Sequence, residues 1–482
     1  MKKRIQRMLE SDRAPLSRTS LGGATVALLI AAPAFVSVGH AEQSDGSTGG
    51  VVVVERAGEE SAAANTAEAV IQASVAWLIS QQAEDGSWST GPDTNEPTGE
   101  LNSIGVTGLA LMAIEMEAAQ GEVSAAQREA ILSGRRYLRS SQGESGIFGE
   151  ASGFRFMQSH AVATLAWLKT ERFAPSEGVS PESQRAVGAI LKAQNPYAGG
   201  WRFSGEPDGD QDTLTTGLMM RTLKEAQDAG VEIPAKRRDW ALKYIDMMTH
   251  PETGRTGYYE VGSRDPRFPA KSDEFSADLT EQCTAMALRT RLAWGEEVEG
   301  SAALRKGAIL LSQSPPRWDV EAGSIDYYYW LFGTEALSSM RGVLFFEWRD
   351  SLHQALIPNQ VRGEEGGHWP AIDAWSTEGT SVHSTVLCTL ALQFARSVGP
   401  DPAGEKEVRA GDVQEFDFNV ALAHLSAVST DLGSEARAKH QRAMDALIAR
   451  AQKAGMSRKA FERERDELLE RAWLEPRVKE ED

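Results

Sequence analysis

One pattern recurs six times between residues 67 and 399, and it constrains the fold more than any other feature of the sequence. In each unit an amphipathic segment leads to a turn that ends in an aromatic residue, and a second, more apolar segment follows. Repeats of this length are typical of stacked pairs of helices. The aromatic positions lie 51 to 60 residues apart, and they are Trp88, Phe148, Trp201, Tyr259, Trp318 and Trp369.

A glutamine precedes the turn in five of the units, and a glycine accompanies the aromatic residue in most of them. A glutamine side chain can hydrogen-bond the backbone groups that lack partners at a helix end. Glycine permits the backbone conformation of the turn, and the aromatic ring packs the turn down. The repeat glutamines are Gln81, Gln142, Gln194, Gln313 and Gln360.

The second helix of each unit is apolar nearly all round, which predicts that it is buried. Small residues recur in these helices at one register, as expected where neighbouring helices crowd together on an inner ring. The pattern therefore predicts an all-α closed ring, with the first helix of each pair outside and the second inside. The small residues are Gly108, Ala163, Gly217, Thr284 and Gly333.

The Gln-Gly-aromatic endings resemble the QW motifs of squalene–hopene cyclases and related class II terpene cyclases. Protein prenyltransferase β-subunits have the same architecture, and the wider group is described as the prenyltransferase/squalene-oxidase repeat family. The resemblance covers residues 67–399. It implies an (α/α)6 toroid of six QW-like helix pairs, and it leaves the activity open because one fold hosts many functions.

Cyclases of this family place a D-x-D-D-T motif, which supplies the catalytic acid, at the start of an inner helix. The matching stretch here runs from Asp208 to Thr213 and reads DGDQDT. Aligning its last two residues with the motif puts Gln211 in the place of the proton donor, so Asp210 and Asp212 are the remaining candidates for the acid. The alternative is that Asp212 caps the following helix, as an aspartate at this position commonly does.

The prenyltransferase β-subunits bind zinc through an Asp-x-Cys pair and a histidine. The resemblance puts Asp326 and His383 at ligand positions and Tyr328 at the place of the cysteine. Zinc needs three or four nitrogen, sulfur or carboxylate ligands, so two are too few without a third from elsewhere. We therefore expect no cofactor, with zinc as the alternative to test.

The N-termini of the inner helices should meet at one mouth of the ring. Aligning the helices by their small residues predicts a cavity or ligand-binding site there that contains His160, Glu281, Tyr328 and Trp330. Each has a structural alternative, because a lone histidine on an apolar helix is more often a satisfied core residue. Other (α/α)6 rings cleave polysaccharides with paired carboxylates, and that activity ranks third among the hypotheses.

The regions outside the repeats indicate export and a helical tail. Residues 1–41 combine basic residues with an apolar run, which predicts a secretory signal peptide or an uncleaved membrane anchor. Residues 42–66 read as a disordered tether, and residues 403–482 as a charged helical tail. The formal net charge of −19 argues against nucleic acid as a partner.

Two functions remain open at this level. The first is an exported, non-catalytic or diverged module that binds an apolar small molecule in its central cavity or an envelope protein. The second is a class II terpene cyclase-like enzyme that acts on an isoprenoid by acid-initiated cyclisation. The broken acid motif at Gln211 and the missing thiolate at Tyr328 favour the first. The location predicted for both is periplasmic or extracellular, with membrane association if the N-terminal segment is retained.

Overall fold

The computed structural model describes residues 66–89, 101–152, 155–174, 178–207, 209–264, 273–298, 300–376, 381–399, 421, 425, 434–454, 456 and 458–474. The predicted signal peptide or anchor lies outside these residues, as do all but the last residue of the predicted tether. Within the described part, no helix is both long and apolar enough to cross a membrane.

Twelve helices alternate between an outer and an inner position. The outer helices are α1 (Ala67–Ser80), α3 (Ala125–Ser141), α5 (Pro181–Ala193), α7 (Ala235–Met248), α9 (Ala302–Gln313) and α11 (Val343–Leu356). The inner helices are α2 (Ser103–Ala118), α4 (Phe156–Lys169), α6 (Thr213–Asp228), α8 (Gln282–Ala293), α10 (Tyr327–Met340) and α12 (Val382–Arg396).

The inner helices form a closed ring. Each packs against the next inner helix along the chain, and α12 packs back against α2. Each outer helix packs against the inner helix that precedes it along the chain, and α1 packs against α12. The ring follows from the sequence pattern, because helices that are apolar on nearly every face can be buried only between other helices. The predicted (α/α)6 toroid is confirmed.

Two of the small residues allow inner helices to approach closely. A Cβ atom on Gly108 would lie 2.9 Å from the Cα of Ala163 in the next inner helix, and one on Gly217 would lie 2.2 Å from Cγ of Met286. Gly333 differs from the prediction. Its missing Cβ would meet the ring of Trp348 on outer helix α11, at 2.4 Å.

The repeat turns join each helix pair to the next. In the second unit, the Gln142 amide donates to the carbonyls of Gly146 and Glu182, at 3.0 and 2.9 Å. Glu182 lies in the following outer helix, so one side chain fixes both the turn and its neighbour. Gln194 makes the same pair of contacts in the third unit, with Gly199 and Arg237.

In the first unit the structure corrects the prediction by one residue. Gln82, not Gln81, donates to the carbonyls of Gly86 and Ala130, at 2.9 and 3.0 Å. The side chain of Gln81 is exposed and donates only to the hydroxyl of Ser80. Two adjacent glutamines satisfy the sequence pattern equally well, and only the second faces the next outer helix.

The side chains of the repeat tryptophans hold the turns against the preceding outer helices. The indole Nε1 atoms of Trp88, Trp201 and Trp369 donate to backbone carbonyls near the end of the preceding outer helix, at 2.7, 2.7 and 2.9 Å. All three rings are fully buried. A buried indole with its donor satisfied combines a large apolar area with a fixed orientation.

The fourth and fifth units depart from the predicted motif. In the fourth, Gly254 and Thr256 occupy the turn positions, since the Thr256 N–H donates to Thr284 on the inner helix as the tryptophan N–H groups do elsewhere. Tyr259 is about half exposed, at 49%. In the fifth, Gln313 is exposed at the end of α9, and Trp318 packs against buried aromatic residues of α10.

Two further helices lie in the C-terminal tail. They are α13 (Ser434–Ala454) and α14 (Arg458–Leu474), and they pack against each other. Their shared core contains Met444, Leu447 and Phe461. Residues 434–454 and 458–474 of the predicted tail are thus helical, and residues 403–420 and 475–482 lie outside the described residues.

Candidate functional site

A cavity lies inside the ring of inner helices. About 750 Å³ is free of protein atoms, including space open to solvent, and about 50 Å³ of it admits the centre of a water molecule. Most of the cavity is therefore narrow. Every inner helix contributes an apolar side chain to its wall, and these include Leu109, Val162, Leu218, Met286, Leu331 and Leu390.

The charged side chains that line the cavity are all basic. Arg155 lies near the N-terminal ends of the inner helices, and Lys169 lies at the C-terminal end of α4. Arg221 lies between them along the axis of the ring. Among the described residues that line the cavity, none is an aspartate or a glutamate. A cavity whose described lining is apolar and holds no carboxylate suits an apolar ligand, whereas a cyclase must protonate an alkene with an acid.

The two candidate acids of the broken cyclase motif lie elsewhere. Asp212 is fully buried and caps α6, accepting from the Thr215 N–H at 2.7 Å. Its other oxygen accepts from Arg202, also at 2.7 Å. Asp210 is exposed, and Asp208 lies outside the described residues. An exposed carboxylate and one held by a guanidinium are both poor proton donors, so neither has the surroundings of a cyclase acid.

Glu281 is predicted to line the site, but its carboxylate makes contacts that stabilise the fold. It precedes α8 and forms an ion pair with Arg255, whose Nη2 lies 2.8 Å from Oε1. Its Oε2 accepts from the hydroxyl of Thr284 at 3.0 Å. The neighbouring Gln282 lines the cavity in its place.

His160 is a satisfied core residue. Its Nδ1 accepts from the Phe148 N–H at 3.0 Å, and its Nε2 donates to the Ala186 carbonyl at 3.2 Å. Burial lowers the pKa of the imidazole to about 4, so the ring is neutral at physiological pH. Its Nδ1 accepts from the turn as threonine hydroxyls do in other units, so both ring nitrogens contact the protein and the imidazole has a structural role. These threonines are Thr107, Thr216, Thr284 and Thr385.

The proposed zinc ligands are occupied by protein partners. Asp326 caps α10 through the Tyr329 N–H at 3.0 Å, and it also accepts from Nε1 of Trp375 at 3.0 Å. Nε2 of His383 hydrogen-bonds the Tyr328 hydroxyl at 2.9 Å. In the described part of the chain, no group of three or more potential ligands is close enough together to hold a metal ion.

Tyr328 and Trp330, the two aromatic residues predicted to line the site, have different surroundings. Tyr328 lines the cavity, and its ring lies against Phe332 and edge-on to Trp375. Trp330 faces away from the cavity into the core, where it packs against Trp318 and Tyr327. Successive residues of a helix point in different directions, so the run of aromatic residues at the start of α10 is divided between cavity and core.

Two residues of the site carry no obvious sequence signal. Arg155 has a left-handed backbone conformation, with φ of 61°, just before α4. Its guanidinium carbon lies 5.4 Å from the centroid of the Trp375 ring, and burial lowers its pKa. Both residues line the cavity. They come from different loops and meet only in the folded ring.

A buried carboxyl group outside the cavity lining also lacks a sequence signal. Oδ1 of Asp373 accepts from the N–H of Ser376 at 3.1 Å and from the hydroxyl of the same residue, while Oδ2 has no hydrogen-bond partner among the residues that the structure describes. Burial raises the pKa of Asp373 to about 6, although the hydrogen bonds from Ser376 oppose the rise.

The chain resembles two classes of solved structure. The type II terpene cyclase MstE from Scytonema is 13% identical with a TM-score of 0.46, covering 69% of this chain and 98% of that one. The GH76A α-1,6-mannanase from Salegentibacter sp. HEL1_6 is 11% identical with a TM-score of 0.48, covering 69% and 99%. No protein-family model and no curated protein sequence matches the chain. The terpene cyclase-like fold rests on the closed helix ring itself, and these similarities assign no activity.

Proposed function

We propose that this toroid binds a slender apolar ligand in its central cavity and returns it chemically unchanged. The observation that carries the proposal is the composition of the cavity wall. Apolar side chains from all six inner helices surround a narrow space that no described aspartate or glutamate lines. Apolar surface buried in such a space supplies the binding energy, and few polar groups are available for chemistry.

The chemistry of a class II cyclase argues against the alternative. Such an enzyme needs a carboxylic acid in contact with the alkene it protonates. Asp212 is ion-paired with Arg202 and Asp210 is exposed. Asp373 is buried with a raised pKa, but it is not among the residues that line the cavity. A binding protein needs none of these groups to act as an acid.

The sequence before the ring supports a location outside the cytoplasm. Basic residues and an apolar run in residues 1–41 have the order of a secretory signal or anchor. An exported binding module would hold its ligand in the periplasm or outside the cell, with an envelope protein as a second type of partner.

The proposal is tested by incubating the protein with geranylgeraniol and with 1-hexadecanol in separate titrations. We expect saturable binding at one ligand per chain, and mass spectrometry should recover each compound unchanged. Recovery of a cyclised geranylgeraniol product would establish the cyclase alternative. Absence of binding by both compounds would contradict the proposed function altogether.

A further inference from the structure

Two guanidinium groups share one carboxylate beside the cavity. Arg221 on α6 contacts Glu335 on α10 through two parallel contacts, Nη1 to Oε2 and Nη2 to Oε1, each 3.0 Å long. Arg289 on α8, the helix between them, places its Nε 2.6 Å from the same Oε2. The three side chains carry two positive charges and one negative charge.

Arg289 is the less well satisfied of the two cations. Its side chain is only 4% exposed, its Nη2 has no hydrogen-bond partner among the described residues, and its Nη1 donates to the sulfur of Met286 at 3.2 Å. Burial, and to a lesser degree the charge of Arg221, lower its pKa to about 10, while Glu335 opposes the shift. Arg289 therefore stays charged at neutral pH. A buried charge with unused donors is costly unless an anion completes its surroundings.

The cluster adjoins the cavity wall. Arg221, Met286 and Phe332 all line the cavity, and the guanidinium carbon of Arg289 lies 5.7 Å from the Phe332 ring centroid. Arg221, Arg289 and Glu335 each lie about two turns along their helices, which is roughly 12 Å from the helix N-termini at 1.5 Å per residue. A ligand with an anionic group at this depth would also need an apolar chain, because the space beside the cluster is apolar.

We infer that the Arg221–Arg289–Glu335 cluster is a subsite for the carboxylate of a long-chain acid. The inference rests on the proposed function and adds the chemical class of the ligand. The carboxylate accepts from donors of Arg221 and Arg289 and balances the excess positive charge of the cluster. Its alkyl chain contacts Leu218, Leu331 and Phe332. A carboxylate suits the cluster because two guanidinium groups can each donate to its oxygens.

The experiment compares hexadecanoate with 1-hexadecanol, which have the same chain and differ in charge. The unmodified full-length chain should bind hexadecanoate about tenfold or more tightly than the alcohol, as expected for a charge-assisted hydrogen bond. In Arg289→Gln, hexadecanoate should bind about tenfold more weakly while the alcohol affinity stays within about twofold. Arg289→Lys retains the charge and should retain the preference for the acid.

Arg291→Gln is the matched control, because Arg291 is a buried arginine of the same helix that pairs with Asp246 and Glu296 and is not among the residues lining the cavity. It should leave the preference for hexadecanoate intact. Loss of the preference in Arg155→Gln rather than Arg289→Gln would overturn the subsite by placing the carboxylate at the mouth. Acetate alone should not compete with hexadecanoate at equal concentration, and competition by acetate would show a site for small free anions instead.

The possible outcomes distinguish a failure of the carboxylate subsite from a failure of the proposed function. Equal affinities of the unmodified protein for the acid and the alcohol would contradict the subsite and leave the apolar binding function standing. Absence of binding by both would contradict the function itself. The comparison of the two probes on the unmodified protein needs no variant, so equal affinities would contradict the subsite even if the substitutions at Arg289 prevent folding.

Discussion

The side-chain amide of Gln360 donates a hydrogen bond to the backbone carbonyl of Val70, which is 2.9 Å away and 290 residues earlier in the chain. The turn of the sixth unit thereby holds the outer helix of the first. Gly367 of the same turn approaches so closely that a Cβ there would lie 2.5 Å from the Ala73 carbonyl oxygen. The contact that joins sequential repeats elsewhere also closes the ring.

The repeat glutamines should stabilise the ring in proportion to the contacts they make. Gln82→Ala removes two hydrogen bonds that link a turn to α3, and it should lower the free energy of unfolding by about 1–2 kcal/mol. Gln81→Ala removes a neighbouring exposed side chain and should change it by less than about 0.5 kcal/mol. Urea unfolding of both variants checks this. A larger loss in Gln81→Ala would restore the assignment made from the sequence.

The close approach of α2 and α4 should make Gly108 intolerant of a methyl group. Gly108→Ala would place a Cβ 2.9 Å from the Cα of Ala163, so we expect a loss of about 2 kcal/mol in the free energy of unfolding. The control is Gly188→Ala in α5, where no described atom beyond the adjacent residues and the helix's own backbone lies within 4 Å of the added methyl group. There the better helix propensity of alanine should raise stability by up to about 1 kcal/mol. Thermal unfolding of the pair gives the comparison, and equal effects would contradict the packing.

Asp373 should make stability depend on pH. Its folded pKa of about 6 exceeds its usual value of 3.8, so the folded state holds the proton more tightly. The stability that this group contributes is fully present below about pH 4 and is lost as the pH rises through 6. The loss totals up to about 3 kcal/mol.

Asp373→Asn removes the titrating group and keeps an acceptor for Ser376. The difference in the free energy of unfolding between the two proteins should therefore change by up to about 3 kcal/mol between pH 4 and pH 7, moving in favour of the variant as the pH rises. Urea unfolding across this range measures the difference. A difference that stays constant with pH would show that the carboxyl group is not buried as described.

The sequence predicts the ring well because apolar periodicity and repeat length are local signals. Helices such as α4, apolar on nearly every face, leave few alternatives to an inner position. The capping role of Asp212 is also local, since its partner Thr215 lies three residues away. Such features depend on neighbours in the chain and need no knowledge of the folded ring.

The candidate site was less predictable because its residues meet across the ring. The partner of His160, the N–H of Phe148, lies in the preceding turn, so the histidine could not be recognised as structural from α4 alone. Arg155 lines the cavity from a loop and has a left-handed backbone conformation itself. The helical periodicity of the sequence does not extend to this loop, so it could not predict the position of Arg155. For the charged cluster, the sequence signal was the presence of Arg221, Arg289 and Glu335 within the inner helices. Their pairing requires three helices to be placed together.

The central claim is that the apolar cavity binds the ligand, and filling the cavity tests it most directly. Met112 lines the cavity, whereas Met247 on α7 is 47% exposed, so both can be changed to tryptophan as a matched pair. Titration with 1-hexadecanol should show binding at least about tenfold weaker in Met112→Trp, since the indole occupies the ligand space. Met247→Trp should bind as the unmodified protein does, and both variants should unfold cooperatively. Unchanged affinity in a folded Met112→Trp would contradict binding in the central cavity.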